Sequence, residues 1–262
     1  MRRAVTLLTL FIFGLALSPL PESAAEFYGD FPTGLLELER KYPYYLYVPP
    51  DYSPERSWPL VVVLGRGKSD PKEVIEPWVE WAKANQYFVL VPTIFPRDGV
   101  VPTLVDQWLL GVKQEVFDRY RIDSQKVLLV GTALASNYAA YLGLSYPEEF
   151  SATALVGGTL PGSFERLMRS SEREDKQISL YVAADPKDEN FSRTESWALG
   201  LEKKGYPVTL TSVGAGESFD SLRDKMIQWF REETETRTAL KGRRKKGFKN
   251  NFRDFWEDFF KV

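Results

Sequence analysis

The run Val127-Leu128-Leu129-Val130 leads into Gly131-Thr132-Ala133-Leu134-Ala135, and an apolar helical stretch follows. A strand, a sharp turn with glycine first and a small residue last, then a helix, is the frame that lifts a serine toward a substrate as Gly-x-Ser-x-Gly. Here the central position is Ala133, which has no nucleophilic atom. Thr132 and Ser136 carry hydroxyls beside the tip, but neither occupies it. A hydroxyl becomes nucleophilic near neutral pH only beside a base, and that base must return a proton to the leaving group. The chain contains no histidine. The frame for nucleophilic chemistry is therefore legible without its attacking oxygen or its imidazole. Taken alone, the loop reads equally well as a tight strand-to-helix turn.

The elements that would hold such a loop alternate along the chain. Strands are expected at 44–48, 60–64, 87–91, 127–130, 152–156, 178–182 and 208–213. Helices are expected at 77–85, 104–120, 133–146, 191–204 and 222–232. The continuous apolar run Leu60-Val61-Val62-Val63-Leu64 has the pattern of a strand buried on both faces. On the helix after it, Pro77 is read as lying near the start. Strand–helix alternation at this spacing predicts a doubly wound, mostly parallel sheet with helices on both faces. Sites in such sheets form at the carboxyl ends of strands, here after Leu64, Val130, Val182 and Val213. Trp78, Trp81 and Trp108 are read as helix-packing core, with a carbohydrate- or polymer-binding cleft as the competing use.

The chain resembles the α/β-hydrolase superfamily, in particular its esterase branch related to polyhydroxybutyrate depolymerases, feruloyl esterases and small carboxylesterases. The resemblance covers roughly residues 38–232. It rests on Tyr45-Leu46-Tyr47-Val48-Pro49, on Pro59-Leu60-Val61-Val62-Val63-Leu64-Gly65, on Asp118-Arg119-Tyr120-Arg121-Ile122-Asp123 and on Tyr146-Pro147-Glu148-Glu149-Phe150, in that order. It implies that Ala133 stands where the nucleophile would be. Asp185 then matches the triad acid, and Glu217, in Gly214-Ala215-Gly216-Glu217-Ser218-Phe219, stands in the place of the triad histidine. It also implies that Leu64-Gly65-Arg66-Gly67-Lys68 replaces the histidine-and-glycine sequence that supplies oxyanion amides.

If the fold brings these loops together, Asp185 and Glu217 repel, and one of them tends to keep a proton. The guanidinium fork of Arg66 suits both carboxylates. The expectation is a binding cluster of Arg66, Asp185 and Glu217 in a vestigial pocket. Two other readings stay open: solvated loop charges, or a Ca²⁺ site formed with Asp188 and Glu189. With neither cysteine nor histidine in the chain, a zinc site of the usual kind is excluded. No metal or other cofactor is expected.

Both ends differ in composition from the middle. Met1-Arg2-Arg3 precedes an apolar stretch from Ala4 to Leu17, shorter than the ~20 residues of a membrane span. Pro19, Pro21 and Ser23-Ala24-Ala25 follow, so residues 1–25 are read as a signal peptide of an exported, periplasmic or extracellular protein. An uncleaved signal anchor is the alternative. Residues 26–235 are read as the hydrolase-like domain, and residues 236–262 as a basic linker and an aromatic amphipathic helix. From 241 to 262 the net charge is +5, whereas 26–240 carries −8. Phe252, Phe255, Trp256, Phe259 and Phe260 form one helical stripe, with Asn251 as an expected N-cap. The stripe fits a groove on a partner protein, an anionic membrane surface or the chain's own domain. The near-neutral charge of the whole chain and the shortness of its basic run argue against nucleic acid. The functional expectation is an exported, catalytically inactive hydrolase homologue that binds or scaffolds. The alternative is an atypical esterase using Thr132 or Ser136 with Glu217 as base.

Overall fold

The structure is a computed structural model. It describes residues 33–40, 42–65, 70–92, 102–162, 164–171, 178–214 and 216–259, without the side chains of 39, 40, 42, 43, 102, 171 and 240–259. The reading of residues 1–25 as a signal lies outside the described residues.

Eight strands form one sheet in the order β1-β2-β4-β3-β5-β6-β7-β8. They are β1 (Gly34–Arg40), β2 (Tyr42–Val48), β3 (Trp58–Leu64), β4 (Phe88–Pro92), β5 (Ile122–Thr132), β6 (Ala152–Val156), β7 (Ser179–Ala184) and β8 (Val208–Ser212). The β1–β2 and β2–β4 pairs are antiparallel, and every other pair is parallel. Six helices accompany them: α1 (Pro71–Asn85), α2 (Pro102–Arg119), α3 (Ala135–Ser145), α4 (Glu165–Ser171), α5 (Phe191–Lys203) and α6 (Phe219–Phe259). The doubly wound, mostly parallel architecture expected from the alternation is present.

The pleat divides the core. Val61, Val63, Val89, Val91, Leu128 and Val130 face one side, where Ile75, Trp78 and Trp81 of α1 and Met226, Trp229 and Phe230 of α6 pack on them. Trp78 and Trp81 are thus core, at 1% and 9% exposure, while Trp108 is half-buried. On the other face α3 lies so close to β6 that a Cβ at Gly143 would stand 2.4 Å from Thr153 Oγ1. Burying one large aromatic or aliphatic side chain stabilises by about 1.5–3 kcal/mol, so these two layers carry most of the cohesion.

Several elements differ from the sequence expectation. Helix α1 begins at Pro71, with the Asp70 carboxylate accepting from the Lys72 N–H at 2.9 Å as its cap. Pro77 is therefore interior to the helix, and its carbonyl accepts from Arg223 at 2.8 Å. Strand β1 and helix α4 were not expected at all. Strand β5 starts five residues earlier than its apolar run, with a register shift against β3 between Trp58 and Leu60.

The largest difference is at the end of the chain. The helix expected to stop near Glu232 continues unbroken to Phe259, so Asn251 is interior and not an N-cap. Its first half is pinned to the sheet. Ser179 Oγ donates to Glu233 at 2.6 Å and accepts from Arg237 at 2.6 Å, and Arg237 also donates to the Ser151 carbonyl. Burial pushes the Arg237 pKa down, and Glu233 opposes that shift. Ser151 and Ser179 lie at the amino ends of β6 and β7, so α6 reaches the amino edge of the sheet by residue 237. Residues 238–259 add about 33 Å of helix at about 1.5 Å per residue. The stripe Phe252, Phe255, Trp256, Phe259 and Phe260 lies outside the described side chains.

Candidate functional site

The parallel strands β5, β6, β7 and β8 are neighbours and end at a common edge. Thr132 pairs with Val156, Val156 with Ala183, and Ala184 with Ser212. The loops that leave them are stitched together by backbone hydrogen bonds. Ala133 N–H donates to the Val156 carbonyl at 2.9 Å, Gly157 N–H to Ala183 at 2.8 Å, and Val213 N–H to Ala184 at 2.9 Å. The sequence segments carrying Ala133, Asp185 and Glu217 therefore leave from one edge of the sheet.

Ala133 sits at the strand-to-helix apex with φ +50. An L-residue in this left-handed region costs about 1–2 kcal/mol relative to ordinary backbone. The turn is held by close packing on both sides. A Cβ at Gly131 would come within 2.6 Å of Ala139 Cβ and 2.7 Å of the Ala135 carbonyl. A Cβ at Gly158, itself at φ +83, would lie 2.2 Å from the Ala133 carbonyl oxygen. The loop therefore has the geometry of a nucleophile elbow, with a methyl group at its tip.

The neighbouring hydroxyls differ in kind. Ser136 is fully buried; its hydroxyl is 3.0 Å from the Gly131 carbonyl and 3.3 Å from that of Val156, and donates to them. Its oxygen serves the turn. Thr132 is half-buried at the end of β5.

Asp185 is exposed and accepts from the Lys187 N–H at 2.8 Å, within its own turn. Glu217 is more enclosed, with 11% of its side chain exposed. Its Oε1 lies 2.6 Å from Lys225 Nζ and accepts from Ser221 Oγ at 2.9 Å, and Oε2 accepts from Gly214 N–H at 3.2 Å. The Lys225 contact, then the Ser221 hydroxyl and the Gly214 amide, hold its carboxyl below the ordinary value of 4.5. Lys225 is raised in turn, chiefly by Glu217. A carboxylate so held is a weak proton acceptor. Arg66 lies outside the described residues. Among the described residues no three acids converge where a metal ion could be held, Asp188 and Glu189 included.

One group that sequence reasoning missed lies behind the elbow. Asp106 of α2 is fully buried and accepts from three tyrosine hydroxyls: Tyr138 at 2.6 Å, Tyr141 at 2.7 Å and Tyr146 at 3.1 Å. Burial, reinforced by the Asp106 charge, pushes the Tyr138 and Tyr141 phenols up. The cluster locks α3, the helix that leaves the elbow, onto α2. The i, i+3 spacing of Tyr138 and Tyr141 was the only readable signal; their acid lies more than thirty residues upstream.

No protein-family profile matches the chain, and no curated protein does. Solved structures do. An α/β-hydrolase enzyme from a Medee basin deep-sea metagenome library superposes with a TM-score of 0.62 at 15% identity, over 79% of this chain and 100% of that one. The S-formylglutathione hydrolase of Staphylococcus aureus gives 0.62 at 12%, over 77% and 98%. A thermostable esterase gives 0.56 at 19%, over 76% of this chain, which spans 62% of that enzyme's length. The chain has the α/β-hydrolase fold.

Proposed function

We propose that this chain uses the α/β-hydrolase fold for binding rather than for ester hydrolysis. The observation that carries the reading is Ala133 at the φ +50 apex, in a chain without histidine. The expected test is hydrolysis of p-nitrophenyl acetate and butyrate by the purified chain. Rates equal to those of a catalytically inert protein are expected. Saturable turnover that disappears in Glu217→Gln would overturn the reading and favour an atypical esterase. What supports that second reading is the esterase identity of several structural neighbours. Against it stand a buried Ser136 committed to two carbonyls and a Glu217 whose proton affinity is lowered.

We further propose where the chain acts and how it is attached. Residues 1–25 act as an export signal, cleaved after Ala25, and mass spectrometry of the mature protein from the envelope fraction reads that cleavage. The end of α6 serves as an attachment arm for a protein partner or an anionic membrane. Supporting this, the helix passes the amino edge of the sheet by Arg237, away from the loop edge, and the segment from 241 carries +5. Co-sedimentation with anionic liposomes, and pull-down from the envelope fraction, compare the full chain with one ending near Glu233. Equal behaviour in both assays removes the arm.

A further inference from the structure

One concavity among the described residues lies away from the elbow residue Ala133. It is a groove of about 590 Å³ between α4 and α5, bordered by Glu165, Arg169, Arg193, Trp197, Gly200 and Lys204. That is the size range of small-molecule sites. It shares no residue with Ala133, Asp185 or Glu217, so it stands apart from the reading above, and either can fail without the other.

Three features set its chemistry. First, Glu165 draws two guanidinium groups into one place. Its Oε1 is 2.7 Å from Arg169 Nη2, and its Oε2 is 3.1 Å from Arg193 Nη2. Arg169 lies one turn along α4, whereas Arg193 reaches across from α5. The Arg169 contact, with Arg193 beside it, lowers the Glu165 pKa. Exposed pairs of this kind add little stability, about 0–1 kcal/mol. What the network does is orient two planar, multi-donor cations that would otherwise repel. Second, cations outnumber the acid among the bordering residues, Arg169, Arg193 and Lys204 against Glu165 alone, so the groove favours an anion. Third, Trp197 is half-buried and borders the same space, and Gly200 leaves it open. A Cβ at Gly200 would meet no atom within 4 Å. Any larger residue there would occupy the groove.

We propose that the α4–α5 groove is a binding site for a small carboxylate carried on a ring with an apolar face, with the carboxylate on the Arg169–Arg193 pair and the ring against Trp197. Guanidinium forks take carboxylates through two parallel hydrogen bonds, and an indole offers a broad apolar face to a ring. An aromatic acid and an acidic sugar both supply this chemistry.

Isothermal titration with 4-hydroxybenzoate and with galacturonate, each up to about 10 mM, tests the site and separates the two sources. The methyl ester, neutral galactose and sodium sulfate serve as controls. The expected result is saturable binding of at least one acid, weakened about tenfold by Gly200→Leu and by Arg193→Gln, and not shared by the controls. Gly200→Leu is on an open helix surface and Arg193→Gln on an exposed one, so both variants should keep the parent melting temperature. Should either unfold, Arg169→Gln replaces it. No heat with either acid would overturn the proposal. So would binding that both variants leave unchanged, or binding that sulfate or the ester matches.

Discussion

Ala133→Gly should make the protein more stable, although it removes a side chain and introduces the most flexible residue. The apex backbone is at φ +50, where a Cβ costs about 1–2 kcal/mol. Glycine removes that strain but loses about 0.5–1 kcal/mol more chain entropy on folding. The net gain is about 0–1.5 kcal/mol, or up to about 6 °C in Tm for a domain of this size. The flanking glycines behave in the opposite way. Gly158→Ala places a Cβ 2.2 Å from the Ala133 carbonyl oxygen, on a backbone that is itself at φ +83, and Gly131→Ala places one 2.6 Å from Ala139 Cβ. Neither contact can be relieved by turning a side chain, so each should cost upwards of about 2 kcal/mol. Thermal melts and urea midpoints for the three variants supply the comparison. A lower Tm for Ala133→Gly, or a tolerated Gly158→Ala, would refute the strained-apex geometry.

Other consequences are as direct. Glu217 has a folded pKa below its unfolded one, so its contribution to stability is complete above about 4.5 and fades as pH falls through the lower folded value. The stability gap between the parent and Glu217→Gln should therefore be constant near neutrality and close on acidification; urea midpoints at pH 7 and pH 3 measure it, and a gap that widens in acid contradicts the Lys225 pairing. Asp106→Ala leaves three tyrosine hydroxyls behind the elbow without their shared acceptor. It should cost about 3–5 kcal/mol, read from the urea midpoint, and a loss under about 1 kcal/mol would mean that the cluster does not hold α3 to α2.

The sheet was legible because its parallel strands are buried on both faces and read as unbroken apolar runs: Leu60–Leu64, Val127–Val130 and Ala152–Val156. Strand β1 was not, because Leu35-Leu36-Glu37-Leu38-Glu39-Arg40 is built from good helix formers; its pairing with β2 along seven residues overrides that preference. The start of α1 was misplaced because two prolines, Pro71 and Pro77, both satisfy the N-terminal signal, and only the Asp70 cap distinguishes them. At the far end, the basic run that begins at Lys241 reads as a linker; it contains Gly242 and Gly247. The surrounding Lys, Arg, Ala and Glu residues are strong helix formers, and the helix absorbs both glycines. The elbow itself was visible in Gly131-Thr132-Ala133-Leu134-Ala135. The Asp106–tyrosine lock and the α4–α5 groove were not, since each joins residues far apart in sequence.

Without an activated oxygen at the end of β5 the chain cannot form an acyl-enzyme, and covalent trapping tests that most directly. The purified wild-type chain is incubated with diisopropyl fluorophosphate at neutral pH, and its intact mass is compared with that of Ala133→Ser. Both should remain unmodified at residues 132–136, because even a serine restored to the apex has no imidazole to activate it. A stoichiometric adduct on wild type, mapped to Thr132 or Ser136, would contradict the account.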